Sequence, residues 1–568
     1  MDGSPRTYRH RFDGLSNSLM CFVLVCLLSC CCTPSGSSET QSPADRPPNF
    51  VFIMADDHAS HALSAYFRKD VLDKLETPRT QINETPNLDR LADEGVVFTH
   101  AFCTNSICSP ARATILTGKY SHKNRLTHNW IPFDAGQQTF PKLLQQAGYQ
   151  TALIGKWHLQ ASDAVDAGFD FAKTLSGLLG QGTYYDPKLG GETIEGYTTD
   201  IITDQAIAWL QNGRDENRPF YLSIHHKAPH RNWESDEAHQ DLYVGETIPT
   251  PATFNDDYST RSSAAQMARM KIAEDLTELD YKLLIPPGLT PQEEKEFKQQ
   301  AWIKDYLRTI ASIDDNVGRL LDYLDTSGLR ENTIVLYTSD QGFFLGDHGW
   351  FDKRFMYEES LRIPLIVRFP AEIAPGTVED HMVLNVDFAP TFLDYAGIEI
   401  PSDMQGRSFR PLLEGQEPSD WRTSMYYRYY EEFGPPLGHS VSMHYGVRTD
   451  RYKLIYYNKL NEWELFDLQS DPYELVNVYS DPAYANVVGE LKTELDDLRT
   501  GLDDNDEAVW MMSVAGASHG AKGTIIRLPI HLIFIGLLTV VGSLSFIWRC
   551  CPGVLLARRI SRSKRSIG

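Results

Sequence analysis

Phe50-Val-Phe-Ile-Met-Ala-Asp-Asp-His58 carries an unbroken apolar run straight into two carboxylates and an imidazole. Such a run is the pattern of a strand buried on both faces, and its polar end marks where the strand leaves the core. Three further segments repeat the arrangement. Tyr149-Gln-Thr-Ala-Leu-Ile154 leads to Gly155-Lys156-Trp157-His158, Phe220-Tyr-Leu-Ser-Ile224 to His225-His226-Lys227-Ala-Pro-His230, and Thr333-Ile-Val-Leu-Tyr-Thr338 to Ser339-Asp340-Gln341-Gly342. Between them lie stretches with apolar residues at three- and four-residue steps, as over 302–324, which predict helices. Strands alternating with helices give an α/β chain with a large, mainly parallel sheet flanked by helices, and such sheets hold ligands at the carboxyl ends of their strands. The four polar ends are therefore expected to converge on one site.

The chain has 568 residues, 42% of them hydrophobic and 23% charged, enough for one large globular domain and a smaller companion. Its formal charge is −23, from 53 basic and 76 acidic residues. Setting aside 1–32 and the basic 549–568 leaves 44 basic against 74 acidic residues, a balance of −30. A body so acidic is not built for nucleic acid, whose phosphates are held by basic surfaces. Any anionic ligand must be met by a local basic pocket. Of the 9 cysteines only Cys103 and Cys108 lie in the body, too few for a disulfide framework.

The two ends read as addresses. In 1–32, arginines precede the apolar run Leu19-Met-Cys-Phe-Val-Leu-Val-Cys-Leu-Leu28, which is followed by Ser29-Cys30-Cys31-Cys32 and a Thr/Pro/Ser/Gly-rich linker, 33–47. This is the order of an export signal, and the run is too short to favour a membrane span. Leu27-Leu28-Ser29-Cys30 also resembles a bacterial lipoprotein cleavage box, which would make Cys30 the lipidated residue; simple cleavage is the alternative. After a linker at 513–527, residues 528–548 form an uncharged run of 21 residues. That is enough to cross ~30 Å of hydrocarbon as a helix. Basic residues such as those of the 549–568 tail stay on the cytoplasmic side, so the body is expected to be exported and membrane-anchored, at the cell surface or in the periplasm. The same layout resembles sorting signals that are removed during surface attachment.

Asp56, Asp57, Asp340 and Gln341 offer three carboxylates and an amide oxygen, a hard-oxygen set suited to Ca²⁺ or Mg²⁺ rather than zinc. A lone Asp-Asp pair after a strand is more often a solvated turn or helix cap; its company gives this one weight. Lys156 and the Lys353 of Gly346-Asp-His-Gly-Trp-Phe-Asp-Lys353-Arg354 supply cations for a tetrahedral dianion, and His158 and His230 supply imidazoles for proton transfer.

Cys108-Ser-Pro-Ala-Arg-Ala-Thr-Ile-Leu-Thr-Gly118 is similar to the signature of the type I sulfatases, in which the cysteine of C-x-P-x-R is oxidised to formylglycine (3-oxoalanine). The Asp pair, Gly-Lys-Trp-His and Ser-Asp-Gln-Gly occur in the family's order, and the likeness covers roughly 48–480. The resemblance implies an alkaline-phosphatase-like sandwich, with a catalytic domain at 48–375 and a smaller subdomain at 376–512. It implies hydrolysis of sulfate esters through a nucleophile made from Cys108 by a formylglycine-generating enzyme. One hydroxyl of the hydrated aldehyde attacks sulfur, and the other collapses to expel sulfate. By the same resemblance Asp56, Asp57, Asp340, Gln341 and residue 108 hold one cation, usually calcium, with magnesium as the alternative. Arg112 steadies residue 108, Lys156 and Lys353 neutralise sulfate oxygens, His158 is the base for collapse and His230 the acid for the leaving oxygen. Position 341 is Gln where many relatives carry Asn, and His230 is preferred to its neighbours His225 and His226 for its Pro229-His230 setting. Cys103 has no such context and reads as a plain thiol.

After Pro370 the pattern turns to short strands at 424–430, 444–448 and 452–457, then an acidic helix near 488–502. This resembles the family's antiparallel C-terminal subdomain, which closes one side of the pocket. Lys227, His348, Arg354, His439 and His444 are candidates to touch the substrate, with solvated or structural roles equally open. The nearest resemblance is to bacterial sulfatases of sulfated polysaccharides. Lys227-Ala-Pro-His230-Arg-Asn-Trp233 is similar to those acting on the glucosamine 6-sulfate of glycosaminoglycans, while an ulvan-like algal polysaccharide fits an acidic exported enzyme equally well. Rival readings are a phosphatase or phosphonate monoester hydrolase with a related site, a catalytically silent carbohydrate-binding surface protein, and an adhesion protein.

Overall fold

The computed structural model describes residues 46–505 except 76, 161–162, 178–179 and 432–439. The expected export signal with Cys30, nearly all of the 33–47 linker, the 513–527 linker, the apolar 528–548 run, the basic tail and His439 lie outside the described residues.

Strands β1 (Asn49–Ala55), β2 (Val96–Phe98), β3 (Gln150–Gly155), β4 (Phe171–Thr174), β5 (Phe220–His225), β6 (Thr333–Ser339), β7 (Leu365–Arg368) and β8 (Thr377–Glu379) form one eight-stranded sheet, in the order β8-β2-β7-β6-β1-β5-β3-β4. Neighbours pair in parallel except at β7, which is antiparallel to both β6 and β2. β1 shows why its apolar run is unbroken. Phe50, Phe52 and Met54 enter one core, while Val51, Ile53 and Ala55 enter the other. With both faces covered, both phases of the two-residue alternation must be apolar.

One covering element is the 36-residue helix α1 (Pro291–Thr326), begun by a proline and a capping box between Thr290 and Glu293. Ile313, Val317, Leu320, Leu321 and Leu324 line its inner stripe. The other core takes Phe388 and Phe392 from helix α2 (Phe388–Tyr395). Beyond residue 375, β8 pairs with β2 and α2 packs into the core of the large sheet.

A second sheet follows: β9 (Ser424–Tyr429), β10 (His444–Thr449), β11 (Tyr452–Tyr457) and β12 (Glu462–Asp467) form an antiparallel meander. Helix α3 (Ala485–Gly501) buries Leu491 and Leu495 in the same core. β12 adds a strand to the three predicted. Its apolar Leu465 and Phe466 are adjacent in sequence, which hides the alternation.

Candidate active site

Register brings the polar strand ends together. β1 and β6 pair up to Ala55–Ser339, so Asp56 and Asp340 emerge side by side. β3 and β5 pair up to Gly155–His225, so Lys156 emerges next to His226. The four strands are consecutive in the sheet as β6-β1-β5-β3. Cys108 arrives as the first residue of a wholly buried helix, Cys108–Thr117. The unpaired N–H groups at such a helix start favour negative charge nearby.

Around the Cys108 Sγ stand Lys353 Nζ at 3.2 Å, Asp56 Oδ1 at 3.4 Å and Gln341 Nε2 at 3.8 Å. Lys156 pairs with Asp56, and Lys353 with Asp57. One turn along the helix, the buried Arg112 guanidinium reaches Asp340 Oδ2 at 3.0 Å and donates to the Lys156 carbonyl at 2.8 Å. The Asp57 N–H donates to Asp340 Oδ1 at 3.2 Å. His230 Nε2 stands 3.8 Å from Asp57 Oδ2, and its Nδ1 donates to the Arg231 carbonyl at 2.7 Å. His158 Nε2 accepts from Gln181 at 3.2 Å. Asp57, His158, Asp352 and Arg354 hold positive φ angles of 71°, 58°, 83° and 97°. Strained backbone of this kind in non-glycine residues gathers at functional sites.

Burial dominates the electrostatics. It pushes the Cys108 thiol up to about 12 although the Lys353 charge pulls the other way. It raises Asp57 to about 6 against the same lysine, and it holds His158 and His230 well below the ordinary imidazole range.

The residues fit a hard divalent cation. Carboxylate oxygens of Asp56, Asp57 and Asp340 lie within 4.8 Å of one another, all buried, and the buried Gln341 Oε1 has no hydrogen-bond partner. Crowded carboxylates repel and an orphan amide oxygen lacks a donor; one cation relieves both. Asp56, Cys108 and His230 form a second group of potential ligand atoms on the same centre.

Lys227 reaches this neighbourhood. Its Nζ donates to the Arg231 carbonyl at 3.1 Å and lies 4.7 Å above the Tyr184 ring, and burial draws it down to about 8 despite the field of Asp57. Arg354 pairs with Asp352 at 2.7 Å, one residue beyond Lys353. Two other candidates for substrate contact, His348 and His444, are buried. His348 is 1% exposed, donates through Nδ1 to Asp256 at 2.9 Å and packs against Trp350 and Tyr357. His444 is fully buried, its Nε2 accepting from the Met356 N–H at 3.0 Å and its Nδ1 donating to the Ser442 carbonyl at 2.8 Å. Both rings are bonded to groups of the protein itself. Cys103 is a buried free thiol.

Sequence reading missed Gln181, and also Asn129, whose Oδ1 accepts the Ser109 N–H at 3.0 Å, and Glu431, which accepts the Asn129 N–H at 2.8 Å. In sequence these are polar loop residues with no pattern to separate them from solvated turns.

The chain is similar to several known proteins. The Sulfatase family model matches residues 48–398, and the model for the C-terminal part of N-sulphoglucosamine sulphohydrolase matches 346–501. The N-acetylglucosamine-6-O-sulfatase of Bacteroides thetaiotaomicron is 44% identical over 516 residues, which cover 83% of this chain and 89% of that one. A multifunctional alkaline phosphatase superfamily protein of Trinickia caryophylli is 29% identical, over 71% of this chain and 87% of that one. A solved structure of a protein in complex with its substrate D-glucosamine-2-N,6-O-disulfate is 43% identical with a TM-score of 0.74, covering 82% of this chain and 99% of that one. Matched along most of its described length, the chain belongs to the sulfatase family and is a sulfuric ester hydrolase of alkaline-phosphatase-like fold.

Proposed function

We propose that the enzyme removes 6-O-sulfate from glucosamine residues of a glycosaminoglycan or its fragments, with residue 108 acting in its formylglycine form. The observation that carries this reading is Cys108 seated beside Lys353 and beside Asp56, which pairs with Lys156, at the carboxylate cluster, in a chain 44% identical to an N-acetylglucosamine-6-O-sulfatase. An ulvan-active sulfatase of Formosa agariphila is more distant, at 26%.

Of the two hydroxyls on hydrated residue 108, one attacks sulfur and displaces the sugar oxygen; the other collapses to the aldehyde and expels sulfate. Lys353, beside residue 108, and Lys156, paired with Asp56, neutralise the sulfate oxygens. Arg112, tied to Asp340 and the Lys156 carbonyl, fixes the helix turn that carries residue 108. The His230 Nδ1 bond to the Arg231 carbonyl leaves Nε2 facing the departing oxygen, which it protonates as the imidazolium that the negative charge of the bound sulfate favours, and His158 takes the proton released on collapse. A divalent cation held by Asp56, Asp57, Asp340 and Gln341 would lower the cost of ionising the attacking hydroxyl. The body balance of −30 repels a polyanion elsewhere, which favours accessible sulfates and chain ends. The signal-like 1–32 and the apolar 528–548 support an exported, anchored enzyme.

Turnover of N-acetylglucosamine 6-sulfate, ulvan oligosaccharides and a phosphate monoester by one preparation tests the assignment. The sugar 6-sulfate is expected to lead by on the order of a hundredfold in kcat/KM. A lead for ulvan or for the phosphate ester overturns it.

A further inference from the structure

We propose that Asp280 is a positioning residue for turnover: it grips the side chains of Arg231 and Asn232 and thereby fixes the carbonyl that orients His230. The proposal rests on the reading of His230 as the acid for the leaving oxygen.

Asp280 is fully buried in the short helix Glu278–Tyr281. Its Oδ1 accepts from Arg231 Nε at 3.1 Å and Asn232 Nδ2 at 3.0 Å, and its Oδ2 from Arg231 Nη2 at 2.5 Å. Oδ2 also closes a capping box, accepting from the Thr277 N–H at 2.9 Å and its hydroxyl at 2.7 Å. The cap alone needs only the Thr277 bonds. The other three run to two consecutive residues at the edge of the active site, and a bidentate arginine–carboxylate pair is the most directional of the charged contacts. The Arg231 guanidinium lies 5.1 Å from the Phe351 ring, two residues before Lys353, which closes the remaining freedom of its stem.

The backbone between these grips does the aiming. The Arg231 carbonyl accepts from both His230 Nδ1, at 2.7 Å, and Lys227 Nζ, at 3.1 Å. That bond ties down the Nδ1 hydrogen and sets the ring plane, so Nε2, which carries the second proton of the imidazolium when the ring acts as the acid, points to Asp57 and residue 108. On the other side, the Tyr184 hydroxyl holds the His230 carbonyl at 2.6 Å. Without Asp280 the 231–232 peptide loses its anchor, and the imidazole loses its fixed direction while the sulfate-binding lysines at 156 and 353 stay in place.

The test uses the full chain with residue 108 converted, assayed on a 6-O-sulfated glucosamine monosaccharide. Asp280→Asn and Arg231→Met are made alone and in a His230→Ala background. Each single variant is expected to lose on the order of tenfold to a hundredfold in kcat, with KM held within about twofold. Added to His230→Ala, neither should cost more than about a further twofold, because the group they aim is gone. Losses that multiply in the double variants, or undiminished kcat in both single variants, overturn the proposal. Undiminished kcat in His230→Ala instead overturns the acid role on which it rests. Melting curves establish folding; should Asp280→Asn not fold, Arg231→Met, with its side chain 18% exposed, decides the matter.

Discussion

Gly155→Ala is a single methyl that tests how the fold builds the site. Gly155 ends β3 with φ 113°, and a Cβ there meets the His225 carbonyl oxygen at 2.0 Å and its carbon at 2.8 Å. That carbonyl already accepts the Lys156 N–H at 2.8 Å, so the obstacle is backbone held from both sides. Relaxing a 2.0 Å approach to ordinary contact at 3.4 Å or more moves the two strand ends apart by over 1 Å. The cost is a backbone hydrogen bond, about 1 kcal/mol, together with about 1–3 kcal/mol for a side chain at that φ. A total of about 2–4 kcal/mol is expected to lower Tm by roughly 2–4 °C in a body of this size. The displacement passes directly to Lys156, which pairs with Asp56. A misplacement of about 1 Å at a reacting centre costs on the order of a hundredfold in rate. Differential scanning calorimetry and kcat/KM on the sugar sulfate, with conversion of residue 108 checked by mass, give both readouts. A variant that melts and turns over like the wild type would refute the claim that strand-end geometry sets the site.

Calcium at 100 times its dissociation constant should stabilise the wild type by about 2.7 kcal/mol, and Asp340→Asn should abolish most of that gain in melts with and without chelator. His348→Asn should lower Tm while KM for the sugar sulfate stays within about twofold, because the ring serves Asp256; a large KM rise at unchanged Tm would restore it as a substrate contact. Asp314 accepts from the Asn87 and Leu88 N–H groups at 3.1 and 2.8 Å, and burial raises its carboxyl to about 6. A raised carboxyl means the folded state binds the proton more tightly than the unfolded chain. Stability should therefore rise as pH falls from 7 to 5, by about 1.4 kcal/mol, relative to Asp314→Asn in urea titrations at the two pH values.

The parts of the fold legible in the sequence are those under the strictest physical demand. β1 and β6 lie between two cores, so their runs are apolar throughout and the break at Asp56 or Asp340 is visible as composition. β8 is an edge strand with an exposed Thr377, under no such demand, and composition does not mark it. Cys108 and Arg112 are legible through their resemblance to the C-x-P-x-R signature of the type I sulfatases, and the structure places them one helix turn apart. Histidines are not legible in the same way. Whether a ring faces a cleft or the interior depends on partners such as Asp256 for His348, and sequence spacing carries no record of that contact. Asp280, which meets the 231–232 segment only through the fold, is hidden for the same reason.

The covalent state of residue 108 tests the account at its centre. Mass spectrometry of the peptide containing it, on preparations of differing specific activity, is predicted to show a form about 18 Da lighter than cysteine whose fraction tracks sulfatase turnover. Fully active protein with an unmodified thiol at position 108 throughout would contradict it.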